Sequence, residues 1–254
     1  MGDPVGAPSG RGRGGRAVLI LGIETATEQV SVAIGGHEGV LGLYEVCRGR
    51  RHAELLTPAI EMLCRTADIE LGEISVIAVD VGPGLFTGMR VGLATGKALA
   101  QALRVPMIGM SSLDLLAFTL RHSVRTVVAV IDARKGELFY AFYRTVPGGV
   151  QRVVEPRCGS VEDLIGDVMA RGDDVVLVGD GALRYRDELE PDLRCGFAEQ
   201  FLSRPSAAPL VQLAHARALR EEWVNPWEIQ PMYLRNPDAQ INWSTRASGN
   251  PGAP

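Results

Sequence analysis

The same succession of patterns occurs twice in this chain of 254 residues. Residues 17–40 read AVLILGIETATEQVSVAIGGHEGV, and residues 126–150 read TVVAVIDARKGELFYAFYRTVPGGV. Each contains an apolar strand that ends in isoleucine and an acid, then a short polar turn, an alternating strand and a glycine-rich turn. The acid is Glu24 in the first copy and Asp132 in the second. An internal repeat of this kind predicts two copies of one structural unit.

The patterns around each copy extend the unit. The first half predicts an antiparallel meander of three strands, a helix over 52–65, and a buried parallel strand over 74–82. A helix to about Leu103 follows, for which Thr87 is the expected N-cap. The second half repeats the meander and ends in a helix within 206–222. Two such βββαβα-like halves predict an α/β chain with a duplicated ribonuclease-H-like fold and a cleft between its two subdomains.

We place the first subdomain at residues 17–106 and the second at 107–240. The last helix, about 206–222, is expected to pack back on the first subdomain. The ends, residues 1–16 and 241–254, are rich in residues that build no core, and we expect both tails to be disordered.

Charge and composition exclude several classes of protein. The net charge of −4 argues against direct binding of nucleic acid through phosphate contacts. No apolar run approaches the roughly 18–20 residues of a membrane span, and no signal peptide is evident. The four cysteines lack a CxxC pair, so we expect them to be reduced and mostly buried. These features together predict a cytoplasmic protein that does not insert into a membrane.

The glycine-rich segment 82–96 (GPGLFTGMRVGLATG) raises the question of a phosphate-binding loop. The nearest match to a P-loop spans 91–98, but Val91 stands where the first glycine belongs and Ala98 where the metal-binding hydroxyl belongs. A nucleotide in the cleft, beside the turns at 24–27 and 179–182, remains an alternative. The glycines of the second turn are more simply explained by a tight turn.

Other reaction chemistry has little support in the sequence. The four histidines lie more than four residues apart, no paired-carboxylate motif is present, and no G-x-S-x-G elbow occurs. Asp132, Arg134 and Glu137 cluster at a hairpin, where a turn with a surface ion pair is favoured over a site. We therefore predict no catalytic, cofactor-binding or metal-binding residue.

The helix after the glycine-rich loop carries glycines at every fourth position, Gly88, Gly92 and Gly96, which share one face. Each interior glycine costs about 1 kcal/mol of helix stability relative to alanine, so a neighbouring backbone is expected to approach this face closely. Arg90 and Lys97 on the same helix exclude a membrane version of this arrangement.

The helix at 52–64 has an apolar arc of about 160°, wider than packing on one sheet usually needs. One interpretation is that both helices contact another protein; the alternative is that they pack only on each other and on the sheet. The interface predicted by the first interpretation consists of Leu55, Leu56, Ala59, Ile60, Leu63, Gly88, Arg90, Gly92, Gly96 and Lys97. On this interpretation, Gly92→Leu would leave a folded monomer that no longer binds its partner.

Six segments carry a resemblance to a known family. They are ILGIETATEQVSVAI, HAELLTP, VDVGPGLFTGMRVGLATGKALA, GMSSLDLLA, VIDARKGELFYAFY and QPMYLR. Together they span about residues 17–235 and resemble the TsaB (YeaZ-like) family. The resemblance implies the duplicated sugar-kinase/Hsp70/actin-like fold. It also implies a non-catalytic scaffold or activator subunit of the complex that places threonylcarbamoyl on tRNA adenosine.

The resemblance further implies the partners. They are a TsaD-type catalytic subunit bound through the two helices, and a TsaE-type ATPase, while TsaC-type enzymes supply threonylcarbamoyl-adenylate. Contact with tRNA would be indirect, through the complex, and the isolated chain could homodimerise. Ser112 and Leu116 stand where TsaD proteins carry their two metal-binding histidines, which implies a lost reaction centre. An ATP-binding kinase or ATPase of the actin-like superfamily remains the alternative, and a peptidase lacks any supporting pattern.

Overall fold

The computed structural model of the chain describes residues 18–49 and 51–235. The predicted disordered tails at 1–16 and 241–254 lie outside the described residues. Within the described residues, no helix combines the length and the apolarity needed to cross a membrane.

The first half forms a five-stranded sheet with helices on both faces. Its elements in chain order are β1 (Ile20–Glu24), β2 (Gln29–Gly36), β3 (Gly39–Cys47), α1 (His52–Thr66), a 3-10 turn (Leu71–Glu73), β4 (Val76–Asp80), α2 (Phe86–Leu103), β5 (Met107–Met110) and α3 (Ser112–Thr119).

The second half repeats the pattern with a second five-stranded sheet. Its elements are β6 (Thr126–Arg134), β7 (Glu137–Val146), β8 (Gly149–Ser160), α4 (Val161–Arg171), β9 (Val175–Val178), α5 (Asp180–Arg184), α6 (Arg186–Leu189), β10 (Cys195–Phe197), a 3-10 turn (Gln200–Leu202) and α7 (Ala207–Ala218).

The two sheets have the same topology. The strand order is β3-β2-β1-β4-β5 in the first sheet and β8-β7-β6-β9-β10 in the second. In each, the first three strands are antiparallel and the last two join in parallel. The predicted duplication, the two meanders and the parallel strand after α1 are therefore confirmed.

Burial on both faces explains the continuous apolar runs. All five residues of β1 are buried. Leu21 packs in one apolar cluster with Leu56 of α1 and Leu93 of α2, on one face of the sheet. Ile20 packs on the other face with Leu210 of α7. A strand covered on both sides needs no polar alternation, as is typical of strands with parallel neighbours.

Helix α3 joins the two halves. Leu115 packs in the cluster of the first sheet, and Leu113 and Leu116 pack in a cluster of the second. Helix α7, although it follows the second sheet in sequence, packs on β1 and β2 of the first. Beyond α7, Val224 and Met107 exchange backbone hydrogen bonds of 2.9 and 3.2 Å, which covers part of the β5 edge.

Two local predictions are wrong. Thr87 is not the N-cap of α2, because the helix begins at Phe86 and Leu85 occupies the cap position without a capping side chain. The cysteines are free, but none is fully buried: Cys47 is exposed and the other three are half-buried.

Candidate interaction surface on the first two helices

The glycines of α2 face the chain's own sheet. A Cβ atom at Gly88 would overlap the carbonyl oxygen of Thr25, and one at Gly92 would overlap the Thr25 hydroxyl. At Gly96 it would lie 2.6 Å from Val79 Cγ1. The prediction that this face contacts another protein is therefore corrected: the glycines lie against the backbone and side chain of Thr25 and against the Val79 side chain of β4.

The apolar face of α1 is also largely internal. Leu56, Ala59, Ile60 and Leu63 are buried in the cluster that joins α1 to the first sheet and to α2. Leu55 is half-buried and packs against the edge of the same cluster. The wide apolar arc therefore arises because α1 contacts both the sheet and its neighbouring helix. The prediction that these four buried residues form an interface is therefore wrong, because they belong to the core.

A turn between β1 and β2 fixes the start of both helices. Thr25 Oγ1 donates to the carbonyl of Gly88 at 2.8 Å. The backbone nitrogen of Leu85 donates to the carbonyl of Ala26 at 2.6 Å. His52, the first residue of α1, is buried, and its Nε2 lies 2.7 Å from the carbonyl of Thr27. The predicted helix start at His52 is confirmed, and its ring is engaged with the turn.

The outward faces of α1 and α2 are available to a partner. On α2, Arg90, Ala94 and Ala98 are exposed at successive four-residue steps, and Lys97 beside them is half-buried. On α1, Pro58 and Met62 are exposed and Leu55 is half-buried. The two helices lie on the same face of the sheet and contact each other. We call this set the α1–α2 outer surface: Leu55, Pro58, Met62, Arg90, Ala94, Lys97 and Ala98.

An aromatic cluster that the sequence analysis missed borders this surface. The Arg90 guanidinium lies 3.7 Å from the centre of the Phe86 ring, and Arg90 Nε donates to the Tyr233 hydroxyl at 3.1 Å. The rings of Phe86 and Tyr233 are 5.4 Å apart. Tyr233 is held in place because the neighbouring Met232 nitrogen donates to the Val81 carbonyl at 2.7 Å. The QPMYLR segment thereby fixes the orientation of Arg90.

The cleft between the halves is closed by an ion-pair network. Arg134 Nη2 contacts Glu28 of the first half at 2.8 Å, and its Nη1 contacts Asp132 at 3.2 Å. The Asp132 side chain is buried and also contacts Arg184 at 3.2 Å. The favoured interpretation of a turn with an ion pair holds for Arg134 and Asp132, but the network extends further and joins the two halves. Sequence spacing gave no signal for the pairing of Arg134 with Glu28.

Little free volume remains on the Asp180 side of this network, whereas a pocket of about 480 Å³ opens on its other side, lined by Leu85 and Met89 of the first half and Phe139 of the second. The cavity between the β1–β2 turn and the start of α5 measures about 30 Å³, far below the roughly 300–1,000 Å³ of small-molecule pockets. Asp180, at the turn for which a nucleotide contact was the alternative interpretation, begins α5 and accepts from the Asp132 nitrogen at 3.1 Å. Burial raises the pKa of Asp180. A nucleotide at this position would require the halves to separate and the Arg134–Glu28 pair to break.

Ser112 and Leu116, which the resemblance aligns with the TsaD histidines, both belong to the core. Ser112 is buried and donates to Asp80 Oδ1 at 2.7 Å, and Leu116 is buried among apolar side chains. In residues 18–49 and 51–235, no group of three or more His, Cys, Asp or Glu side chains is arranged to hold a metal ion.

Two sheets of identical strand order, joined through a shared helix, place the protein in the class with a duplicated ribonuclease-H-like fold, as in sugar kinases, Hsp70 and actin. A family model described as "TsaD: tRNA N6-adenosine threonylcarbamoyltransferase" matches residues 45–243. The chain belongs to the TsaB (YeaZ-like) family within this group.

Relatives and solved structures agree with this assignment. The tRNA threonylcarbamoyladenosine biosynthesis protein TsaB of Escherichia coli is 31% identical over 85% of this chain and 94% of its own length. The Bacillus subtilis protein of the same name is 26% identical over 89% of this chain and 98% of its own length. A Pseudomonas aeruginosa protein described as similar to peptidase YeaZ superposes with a TM-score of 0.77 at 28% identity, covering 86% of this chain and all of that one.

The inward orientation of the glycines predicts an effect on the isolated chain. Gly92→Ala is expected to destabilise the folded protein by about 1–3 kcal/mol, because the added methyl group overpacks the contact with Thr25. The same reason predicts that Gly92→Leu disrupts the fold instead of leaving an intact monomer. Urea unfolding monitored by circular dichroism measures the change.

Gly166→Ala is the matched control. Gly166 is exposed within α4, and a Cβ atom there would meet open space. This change is expected to stabilise the protein by up to about 1 kcal/mol through helix propensity alone. An unaltered urea midpoint for Gly92→Ala would contradict the packing of α2 on Thr25.

Proposed function

We propose that this chain takes part in tRNA threonylcarbamoyladenosine biosynthesis as a non-catalytic subunit that binds a TsaD-type catalytic subunit. Membership of the TsaB family and the names of its relatives support the pathway. Positions 112 and 116 are serine and leucine instead of histidine, which supports a role without a TsaD-type metal centre. The proposed location is the cytoplasm.

The observation that carries the proposal is the α1–α2 outer surface. Ala94 and Ala98 are exposed one turn apart, so the middle of α2 offers a flat strip to an approaching helix. Met62 and Pro58 add apolar area on α1. This combination of small, apolar and rigidly held side chains is suited to close packing by a second polypeptide.

Charge indicates the chemistry of the partner. Arg90 lies one turn before Ala94 and Lys97 lies beside Ala98, and Arg90 is held by Phe86 and Tyr233. A partner helix with an apolar stripe and acidic side chains at its margins would complement them. The partner is proposed to bring the tRNA, since the chain's net charge of −4 gives it no general affinity for phosphate. A TsaE-type ATPase is the proposed third component.

Bulky cations in the strip should prevent docking. Ala94→Arg and Ala98→Arg are each expected to weaken binding to the TsaD-type subunit at least tenfold, about 1.4 kcal/mol, because the side chain holds the partner helix away. Both positions are exposed, so the thermal midpoint of the isolated chain should stay close to wild type. Calorimetric titration of the purified partner measures the affinity.

Ala170→Arg is the control, since Ala170 is an exposed helical alanine in α4 of the second half. It should bind the partner like wild type. Wild-type affinity of both strip variants would overturn the assigned surface. Size-exclusion chromatography of the same variants without partner tests homodimerisation, because a dimer through this surface should dissociate with Ala94→Arg.

The closed cleft predicts the behaviour with nucleotide. Titration of the isolated chain with ATP and magnesium should give no saturable heat at micromolar concentrations, because the space beside the two turns, beneath Arg134 and Glu28, measures only about 30 Å³. Saturable binding with turnover would favour the kinase or ATPase alternative instead.

A further inference from the structure

Two carboxyl groups lie side by side in the interior of the first half. Glu24 is the last residue of β1 and Asp80 the last residue of β4. These strands run parallel with Ile23 paired to Val79, so Glu24 and Asp80 form the next pair in register. Neighbouring strands lie about 4.8 Å apart, and paired residues project from the same face. Glu24 is 0% exposed and Asp80 is 2% exposed.

Each carboxyl group has one satisfied oxygen and one without a partner. Glu24 Oε1 accepts from the Ala26 nitrogen at 2.7 Å. Asp80 Oδ1 accepts from the Gly82 nitrogen and from Ser112 Oγ, both at 2.7 Å. Among the described residues, Glu24 Oε2 and Asp80 Oδ2 are buried and have no hydrogen-bond partner. Unpaired oxygens on adjacent buried acids are costly unless something joins them.

The charged groups that act on the pair are also acidic. Glu45, two strands away on β3, acts on Glu24, and Asp114 of α3 acts on Asp80. The nearby arginine, Arg152, is paired with Asp114 at 2.6 Å. His52 is directed at the Thr27 carbonyl. A proton is therefore the simplest positive charge that can join the two carboxyl groups.

We propose that Glu24 and Asp80 share one proton, held between Glu24 Oε2 and Asp80 Oδ2 as a hydrogen bond from a carboxylic acid to a carboxylate. The bond links the ends of β1 and β4 and satisfies both remaining oxygens.

The electrostatic setting agrees with this arrangement. Burial, followed by the charge of Asp80, raises the pKa of Glu24 well above its usual value. Burial raises the pKa of Asp80 to about 7. Two buried carboxyl groups on adjacent strands repel each other when both are ionised, so the pair retains a proton to higher pH and titrates as one unit.

The shared proton lies beneath the β1–β2 turn and the loop that leads into α2. Glu24 holds the Ala26 nitrogen, and the Ala26 carbonyl in turn accepts from Leu85 at the start of α2. Asp80 holds the nitrogen of Gly82 in the loop before α2. Loss of the proton places two negative charges under these loops. If the proposed docking surface is correct, alkaline pH should therefore weaken docking as well as folding.

The direction of the pH effect follows from the raised pKa values. The unfolded chain releases this proton near the ordinary carboxyl pKa, whereas the folded chain keeps it to higher pH. The stabilisation is complete below the ordinary pKa and is lost as pH rises through the folded pKa. While the folded state holds one extra proton, the folding equilibrium falls about tenfold per pH unit.

Glu24→Gln tests the proposal through the difference in stability between variant and wild type, in which the contributions of the other titrating groups cancel. The amide keeps the acceptor for Ala26 and can donate permanently to Asp80 Oδ2. The free energy of unfolding of wild type and variant is measured in urea from pH 5 to 9. Its dependence on pH should be weaker in the variant by the equivalent of about one proton. The variant should become more stable relative to wild type as pH rises. Glu61→Gln, an exposed acid on α1, should retain the wild-type slope.

Infrared spectroscopy gives a second readout that does not depend on a variant's stability. Wild type at pH 7 should show the C=O stretch of a buried protonated carboxylic acid, and this band should be absent from Glu24→Gln and disappear at alkaline pH. Asp80→Asn offers a second variant should Glu24→Gln fail to fold. Absence of the band in wild type, or a wild-type pH slope in Glu24→Gln, would overturn the shared proton.

Partner binding distinguishes this proposal from the proposed function. Affinity for the TsaD-type subunit should fall with rising pH for wild type and change less for Glu24→Gln. If the proton is found but no partner binds at any pH, the proposed function fails while the proton pair stands.

Discussion

The contact between α2 and the β1–β2 turn determines the arrangement of the first half. Gly88 and Gly92 have no side chains, so the helix backbone lies directly against Thr25. That proximity allows the hydrogen bond from Thr25 to Gly88 and brings Leu85 to Ala26. It also sets the height of α2 above the sheet, and with it the position of α1, which packs beside α2. The glycines cost helix stability, and the contact with the sheet compensates for that cost.

The two halves share a topology but differ in the partners of the acid near the end of their first strand. Glu24 is fully buried beside Asp80, whereas Asp132, at the equivalent place in the second half, pairs with Arg134 and Arg184. In the first half, buried acids hold loops together. In the second, the acid and its arginine close the cleft by reaching Glu28. The duplicated fold has thus retained polar strand ends on both sides, with about 30 Å³ left between the β1–β2 turn and the start of α5.

The sequence predicted the elements well because strand and helix periodicity depend on local burial. The repeat of an apolar strand followed by an acid was sufficient to predict the duplication, but the short strand β10 (Cys195–Phe197) was not predicted. The partners of individual polar residues were not predictable, because Arg134 and Glu28, or Arg90 and Tyr233, come together only through tertiary packing. The pairing of Glu24 with Asp80 had a usable signal, since both acids end apolar runs that become adjacent parallel strands. That signal required the strand order, which periodicity alone does not give.

The sequence analysis assigned the wrong face of α2 to the partner. Gly88, Gly92 and Gly96 form one four-residue series, and Arg90, Ala94 and Ala98 form another, offset by two residues. Two residues correspond to about 200° around a helix, so the two series lie on opposite faces. The four-residue spacing identifies two faces of α2 on which another element could pack closely, but it does not say which of them meets the sheet. The structure gives the sheet the glycine face, where backbone contact is closest, and turns the alanine face outward. A partner that packs on those alanines would lie only one thin helix away from the turn that Glu24 and Asp80 support.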